Sequence, residues 1–293
     1  MLQTFQDFSA YLKSSERSFL TIKNYLADLQ HFEKWFLETN DYSEFNPPDI
    51  TPTDLREFKQ FLQVTKEMKP ASINRRLASL RSFLKWTNDV GSTPNFQLSK
   101  IPKFEKTEKT GIRWLDRKEE NALLRSVERG GIKRDIAIIK LFLHTGLRVA
   151  ELCSLRWSEI IINERKGVLT VLQGKGGKRR EIPLNYDARQ VLLDLGYQQN
   201  AVKKDAVFIG QRGKLTPRGI QTIFRKYADS VKLNNQSPHS LRHTFCKNLL
   251  NAGISLEKIA ILAGHESLDT TRLYLEPSLK DLEGAVEAIS EER

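Results

Sequence analysis

Cysteine is nearly absent from this chain of 293 residues. Its two copies, Cys153 and Cys246, form no CxxC pair, which excludes a disulfide framework and a zinc ribbon. Each lies in an apolar helical pattern and reads as a small buried filler. No run of about 18 apolar residues occurs, so no ordinary membrane-spanning helix is expected. The opening "MLQTFQDFSAYLKSSERS" also lacks the basic-then-apolar order of a secretion signal. These absences place the chain in the cytoplasm. Internal repeats and low-complexity tracts are missing as well. The glycine-rich "GKGGK" is no P-loop, because the first glycine of GxxxxGK[ST] is lacking and Arg179 follows Lys178.

What is present is a globular composition, with 39% hydrophobic and 28% charged residues, enough for one large or two modest domains. The formal net charge of +11 points to a polyanionic partner, nucleic acid ahead of an anionic membrane.

Two unlike halves follow from the periodicity. From Phe5 to about Gly91 the pattern is helical throughout, with "TIKNYLADLQHFEKWFLE", "TPTDLREFKQFLQ" and "PASINRRLASLRSFLKWT" as its main segments. Thr51, Thr53 and Ser72 offer caps, and Pro52 and Pro70 stand close to helix starts. In the last segment Ile73, Leu77, Leu80 and Leu84 form an apolar stripe. Arg75, Ser79, Ser82 and Lys85 point broadly the other way, as a solvated face or as a surface for DNA, which the net charge favours. "SKIPKFEKTEKTG" then reads as a basic linker with too little apolar surface to fold alone. From about Ile112 helices are joined by "GVLTVLQGKGGKRREIPLN", two β-favouring runs around a glycine-rich turn that predict an antiparallel hairpin. The fold class is therefore mainly α, an N-terminal helical bundle and a mostly helical second domain containing a small antiparallel β-sheet. The expected boundaries are 1–98, a linker over 99–112, and 113–293.

Chemistry concentrates in the second half. In "SPHSLRHTF" Ser237 is a good N-cap and Pro238 suits the first helical position. His239 then falls in a first turn whose unpaired N–H groups favour an anion. Arg242 lies on the same face, and its planar fork matches two phosphate oxygens. His243 stands four residues from His239, either as half of a zinc pair that lacks the HExxH glutamate or as an ordinary core histidine. In "HTGLRVAEL" one helix ends at Thr145-Gly146 and the next begins at Arg148, with Glu151 placed to hold it or merely to form a surface ion pair. "ISLEKIAILAGHESLDTTRLYLEP" predicts a helix from about Leu256, a stop at Gly264, His265 after it, and a short helix carrying Tyr274 and ended by Pro277. A phenol titrates near pH 10, so Tyr274 attacks phosphorus only with cations and a base beside it. Lys175, at the hairpin turn, reads as a mobile ammonium reaching toward substrate, with Lys178 close by.

Taken in order, "TGLRVAEL", "GKGGKRREIPL", "HSLRHTF", "LAGH" and "TTRLYLEP" resemble the tyrosine recombinase (integrase) family, and the N-terminal half resembles that family's core-binding helical domain more loosely. With no extra N-terminal arm-binding module expected, the chain is most similar to the compact Xer-like and mobile-element recombinases. The resemblance implies a site-specific recombinase that cuts and rejoins DNA through a 3′-phosphotyrosine intermediate and a Holliday junction. It implies Tyr274 as nucleophile, Arg148 and Arg242 on the non-bridging oxygens, Lys175 or Lys178 as general acid, His239 assisting proton movement at the tyrosine, and His265 donating to the phosphate, with Glu151 in support. No metal, ATP or redox cofactor is implied. The partners implied are double-stranded DNA with inverted-repeat sites and a homotetramer or heterotetramer formed on it from a free monomer. The tail at about 278–290, with Leu279, Leu282, Val286 and Ile289 on one stripe, would dock on a neighbouring protomer or fold back on its own domain. A non-cleaving DNA-binding regulator, a type IB topoisomerase-like strand transferase and a zinc-dependent nuclease are the alternatives.

Overall fold

The computed structural model describes residues 2–93, 96–102, 113–172, 179–211, 213–234, 236–265, 267–272, 274–275 and 286–287. The chain divides into two compact units, residues 1–110 and 111–293. Among the described residues, no helix is long and apolar enough to cross a membrane.

The first unit is helical: α1 (Gln3–Ser14), α2 (Phe19–Asn40), α3 (Pro52–Gln60) and α4 (Pro70–Asp89). Pro52 and Pro70 each occupy the first helical turn, where a missing N–H costs nothing. Thr51 caps α3 in a reciprocal box with Asp54, whose carboxylate accepts the Thr51 N–H at 2.7 Å. Ser72 is no cap, since Lys69 holds that position for α4. The core is unusually aromatic: Phe5, Phe8, Phe32, Phe36, Phe58 and Phe83 are all fully buried. Their rings meet mostly edge-on or tilted, at centroid separations such as 5.0 Å for Phe32 and Phe58.

The expected stripe of Ile73, Leu77, Leu80 and Leu84 is buried, but the opposite face of α4 is not uniform. Ser79 is fully buried, and its hydroxyl donates to Asp28 on α2 at 2.9 Å. Arg75 pairs with the same carboxylate while staying half exposed, and Arg76 approaches it at 3.6 Å. Ser79 therefore cannot belong to a DNA-contacting face in this structure, because a buried carboxylate needs the donors α4 offers. Ser82 is half-buried and Lys85 exposed. At the end of the unit, Leu98–Lys100 forms a short 3-10 turn and Ile101 is buried in this core. Residues 103–112, most of the expected linker, lie outside the described residues.

The second unit is built on α5 (Arg117–Arg129), α6 (Lys133–Thr145), α7 (Val149–Ser154), β1 (Ile160–Ile162), β2 (Gly167–Val171), β3 (Arg180–Pro183), α8 (Tyr186–Asp194), α9 (Tyr197–Asn200), β4 (Ile209–Gly210), β5 (Gly213–Lys214), α10 (Pro217–Ser230), α11 (Pro238–Asn251), α12 (Leu256–Ala263) and α13 (Leu268–Arg272). The expected hairpin is β2 and β3, antiparallel, with Val171 opposite Arg180 at the feet of its turn. β1 extends it to three strands, and β4 and β5 make a second, minimal pair. Both cysteines are free and buried, as their apolar surroundings led us to expect. α6 is the central element, with Ile138, Ile139, Leu141 and Phe142 in the core and α8 and α11 packed against it.

Candidate functional site

Two helix endings make the site. α6 stops where Gly146 turns left-handed, at φ 61°, and α12 stops in the same way at Gly264, φ 67°. In both places a β-carbon would collide, with the Phe245 ring at 2.3 Å and with the Arg180 guanidinium at 2.7 Å, so glycine is required twice over. The freed carbonyls then become acceptors: Arg242 Nη1 donates to the Gly146 oxygen and Arg148 Nη2 to the Gly264 oxygen. A helix C-terminus is the negative end of its dipole, which suits a guanidinium.

Arg148 precedes α7, and Glu151 in the first turn accepts from its N–H at 2.7 Å and from Nη1 at 2.8 Å. The pair is far from the surface ion pair considered from spacing alone, because Glu151 is 5% exposed and holds a second guanidinium. Arg180, the first residue of β3, forks onto both Glu151 oxygens at 2.8 Å each and donates through Nε to the Leu262 carbonyl at 3.1 Å. Burial would push the Glu151 carboxyl up. Hydrogen bonds from Arg180 and from the Arg148 backbone outweigh it and hold the group at about 2.

Arg242 is 2% exposed. Burial first, and then the neighbouring Arg148, lower its guanidinium to about 10, so it stays charged at neutral pH. Three guanidiniums, Arg148, Arg180 and Arg242, thus gather around one carboxylate, and the surplus is positive.

The histidines and the tyrosine close the other side. α11 begins as expected, with Ser237 at the N-cap and Pro238 at the first position. His239 is the exposed member and packs edge-on against His243, centroids 4.4 Å apart. Partial burial, then Arg242 and Arg148, lower it. His265 follows Gly264, its Nδ1 2.8 Å from the Thr271 hydroxyl, and its ring lies parallel to Tyr274 at 6.2 Å. Burial, Arg242, Arg148 and Arg180 bring it down to about 4. Tyr274 is 1% exposed and stands two residues beyond the end of α13 rather than on it. Its hydroxyl is 2.6 Å from His243 Nδ1, and its carbonyl lies 3.5 Å from the Lys247 ammonium, which also sits over the Trp114 ring. Burial, then Cys246, push the phenol well above its ordinary range, partly offset by Arg242.

Arg148, Glu151, His239, Arg242, His265 and Tyr274 are therefore brought together. Lys175 and Lys178 lie outside the described residues, as do most of the residues of the 278–290 tail. Arg75, Ser79, Ser82 and Lys85 belong to the first unit. Sequence reasoning missed Arg180 altogether, although an arginine on the same side of β3 as the buried Ile182 was a signal. It considered His243 only as a zinc ligand or core filler. Among the described residues, no group of three His, Cys, Asp or Glu side chains is arranged to hold a metal ion.

Residues 113–280 match the Phage integrase family, and residues 5–89 match the Phage integrase, N-terminal SAM-like domain. The chain is 28% identical to the TnP I resolvase of Bacillus thuringiensis, with 97% of this chain and 99% of that protein covered. It is 32% identical to the tyrosine recombinase XerC of Anoxybacillus flavithermus, over 91% of this chain and 90% of the other. Among solved structures, the XerH site-specific recombinase bound to its difH substrate aligns with TM-score 0.71 at 21% identity, covering 98% of this chain and 84% of that one, a likeness of fold.

Proposed function

The chain belongs to the phage integrase family and is a tyrosine-type site-specific DNA recombinase, and from that premise we propose a role for each group gathered around Tyr274. The observation that carries the reading is the surplus of positive charge beside a phenol: Arg148 and Arg242 form a socket for an anion, and Tyr274 lies against the same walls. Double-stranded DNA supplies that anion as a backbone phosphate. Tyr274 Oη bonds to phosphorus while the bond to the 5′-oxygen breaks, leaving a 3′-phosphotyrosyl link and a free 5′-hydroxyl. Arg148 and Arg242 hold the non-bridging oxygens and stabilise the charge that grows in the transition state. Lys175 or Lys178 protonates the departing 5′-oxygen, His239 moves the phenolic proton, and His265 donates to the phosphate. Glu151 and Arg180 keep Arg148 in place without touching the substrate.

Tyr274 is almost wholly covered, so attack requires the groups over the phenol to part as DNA enters. The helical unit of residues 1–98 also contacts DNA, through Arg75, Ser82 and Lys85, and the lysines of the basic stretch at 99–112 add phosphate contacts. Recombination proceeds on inverted-repeat sites in the cytoplasm, by four protomers and a Holliday junction, with the tail at about 278–290 docked on a neighbour.

A DNA duplex carrying a 5′-phosphorothiolate at the cleavage position tests the reading. It should trap a covalent adduct that Tyr274→Phe abolishes, whereas tight binding with no adduct in the unaltered protein would identify a regulator instead.

A further inference from the structure

The Tyr274 hydroxyl has an imidazole within hydrogen-bond reach, and it is not the one assigned to proton movement. His243 Nδ1 lies 2.6 Å from Oη, and His239 packs edge-on against His243 at 4.4 Å between ring centroids. The three side chains form a row from surface to interior: His239 is exposed, His243 half-buried and Tyr274 1% exposed. One turn of α11 separates the two imidazoles, so the helix itself fixes their order.

Resting on the reading of Tyr274 as nucleophile, we infer that His243 is a positioning residue for the reaction: its Nδ1 accepts the hydrogen bond of the Tyr274 hydroxyl and aims the phenolic oxygen, while its own proton stays on Nε2. The ring's surroundings suit an acceptor that is not itself a base. Burial, then His239 and Arg242, hold His243 down to about 3, so it is neutral at working pH and open to a hydrogen bond at Nδ1, while the phenolic proton passes to His239 as the oxygen turns to phosphorus. Of the other groups that touch Tyr274, His265 stacks on the ring and Lys247 approaches the carbonyl, while the Cys246 thiol shares the hydroxyl's hydrogen bonding with His243. His243 alone among the histidines addresses the reacting oxygen, and misplacement of a reacting atom by about 1 Å costs on the order of a hundredfold in rate.

Single-turnover adduct formation on the phosphorothiolate duplex separates aiming from mere packing. His243→Leu should slow it by about 10- to 100-fold with DNA affinity retained. His243→Asn, whose amide oxygen takes the place of Nδ1, should recover most of the rate. An asparagine variant as slow as the leucine one overturns the inference, and so does a leucine variant as fast as the unaltered protein. A second arm needs no activity. In the full-length protein labelled with 15N-histidine, Tyr274→Phe should shift the unprotonated Nδ1 resonance of His243, and an unmoved resonance refutes the contact. If the unaltered protein forms no adduct while the resonance does shift, it is the assignment of Tyr274 as nucleophile that fails.

Discussion

Glu151 neutralises two guanidiniums with one carboxylate, and the cost of removing it follows from that. Glu151→Gln keeps the shape and leaves Arg148 and Arg180 facing each other with no counter-charge. Breaking a buried pair in this way costs about 3–5 kcal/mol, and urea denaturation of the variant should show a loss of that size. Arg180→Lys is milder on stability and more telling on function. A lysine cannot fork onto both oxygens and reach the Leu262 carbonyl, so a loss of about 2 kcal/mol from charged hydrogen bonds should appear as slower adduct formation with DNA binding little changed. Neither Arg180 nor His243 was legible as a partner. Their contacts join residues 29 and 31 positions apart in sequence, and a helix or strand period speaks only to near neighbours. Arg148, Arg242 and Tyr274 were legible because each sits in a local context, a helix start or a short motif, that limits what it can do.

At the level of elements, the site depends on where helices stop. The carbonyls of Gly146 and Gly264 are available only because each residue turns left-handed and frees them from helical pairing. Gly146→Ala places a methyl inside the Phe245 ring and strains φ. A loss of about 1–3 kcal/mol is expected from the backbone strain alone, with more from the clash, read as a lower denaturation midpoint and a displaced Arg242. These stops could be read in advance, since a glycine after a periodic apolar run ends a helix for a reason of backbone sterics. The long helices were legible on the same footing. β1 and the pair of β4 and β5 were not, because two or three residues carry no measurable alternation. Ser79 was misread because the apolar stripe of α4 was counted without Asp28, a buried charge supplied by another helix.

On the scale of the whole molecule, charge is unevenly spread. Residues 111–293 hold 31 of the 47 Lys and Arg but only 22 of the 36 Asp and Glu, so the unit with the site carries most of the excess. DNA binding by the full chain should weaken steeply with salt, by about 10³-fold or more between 50 and 200 mM if six or more phosphates are neutralised. Stability should respond to acid in two stages. Unfolded histidine titrates near 6.5, whereas His243 and His265 are held at about 3 and about 4 in the fold. The unfolded chain therefore binds more protons as pH falls below 6.5, and thermal midpoints should decline from there. Glu151 adds stability above 4.5 that is lost as pH falls toward about 2. His243→Asn should flatten the first stage and leave the second, as scanning calorimetry across pH would show.

The crowd of guanidiniums has a practical side. Like charges held together in the free protein repel one another, and any tetrahedral oxyanion small enough to enter the socket relieves that repulsion and so favours the folded state. Sulfate or vanadate should therefore act as a thermal protectant and a weak competitor, and recombination assays run in sulfate-rich buffers would understate the rate of cutting.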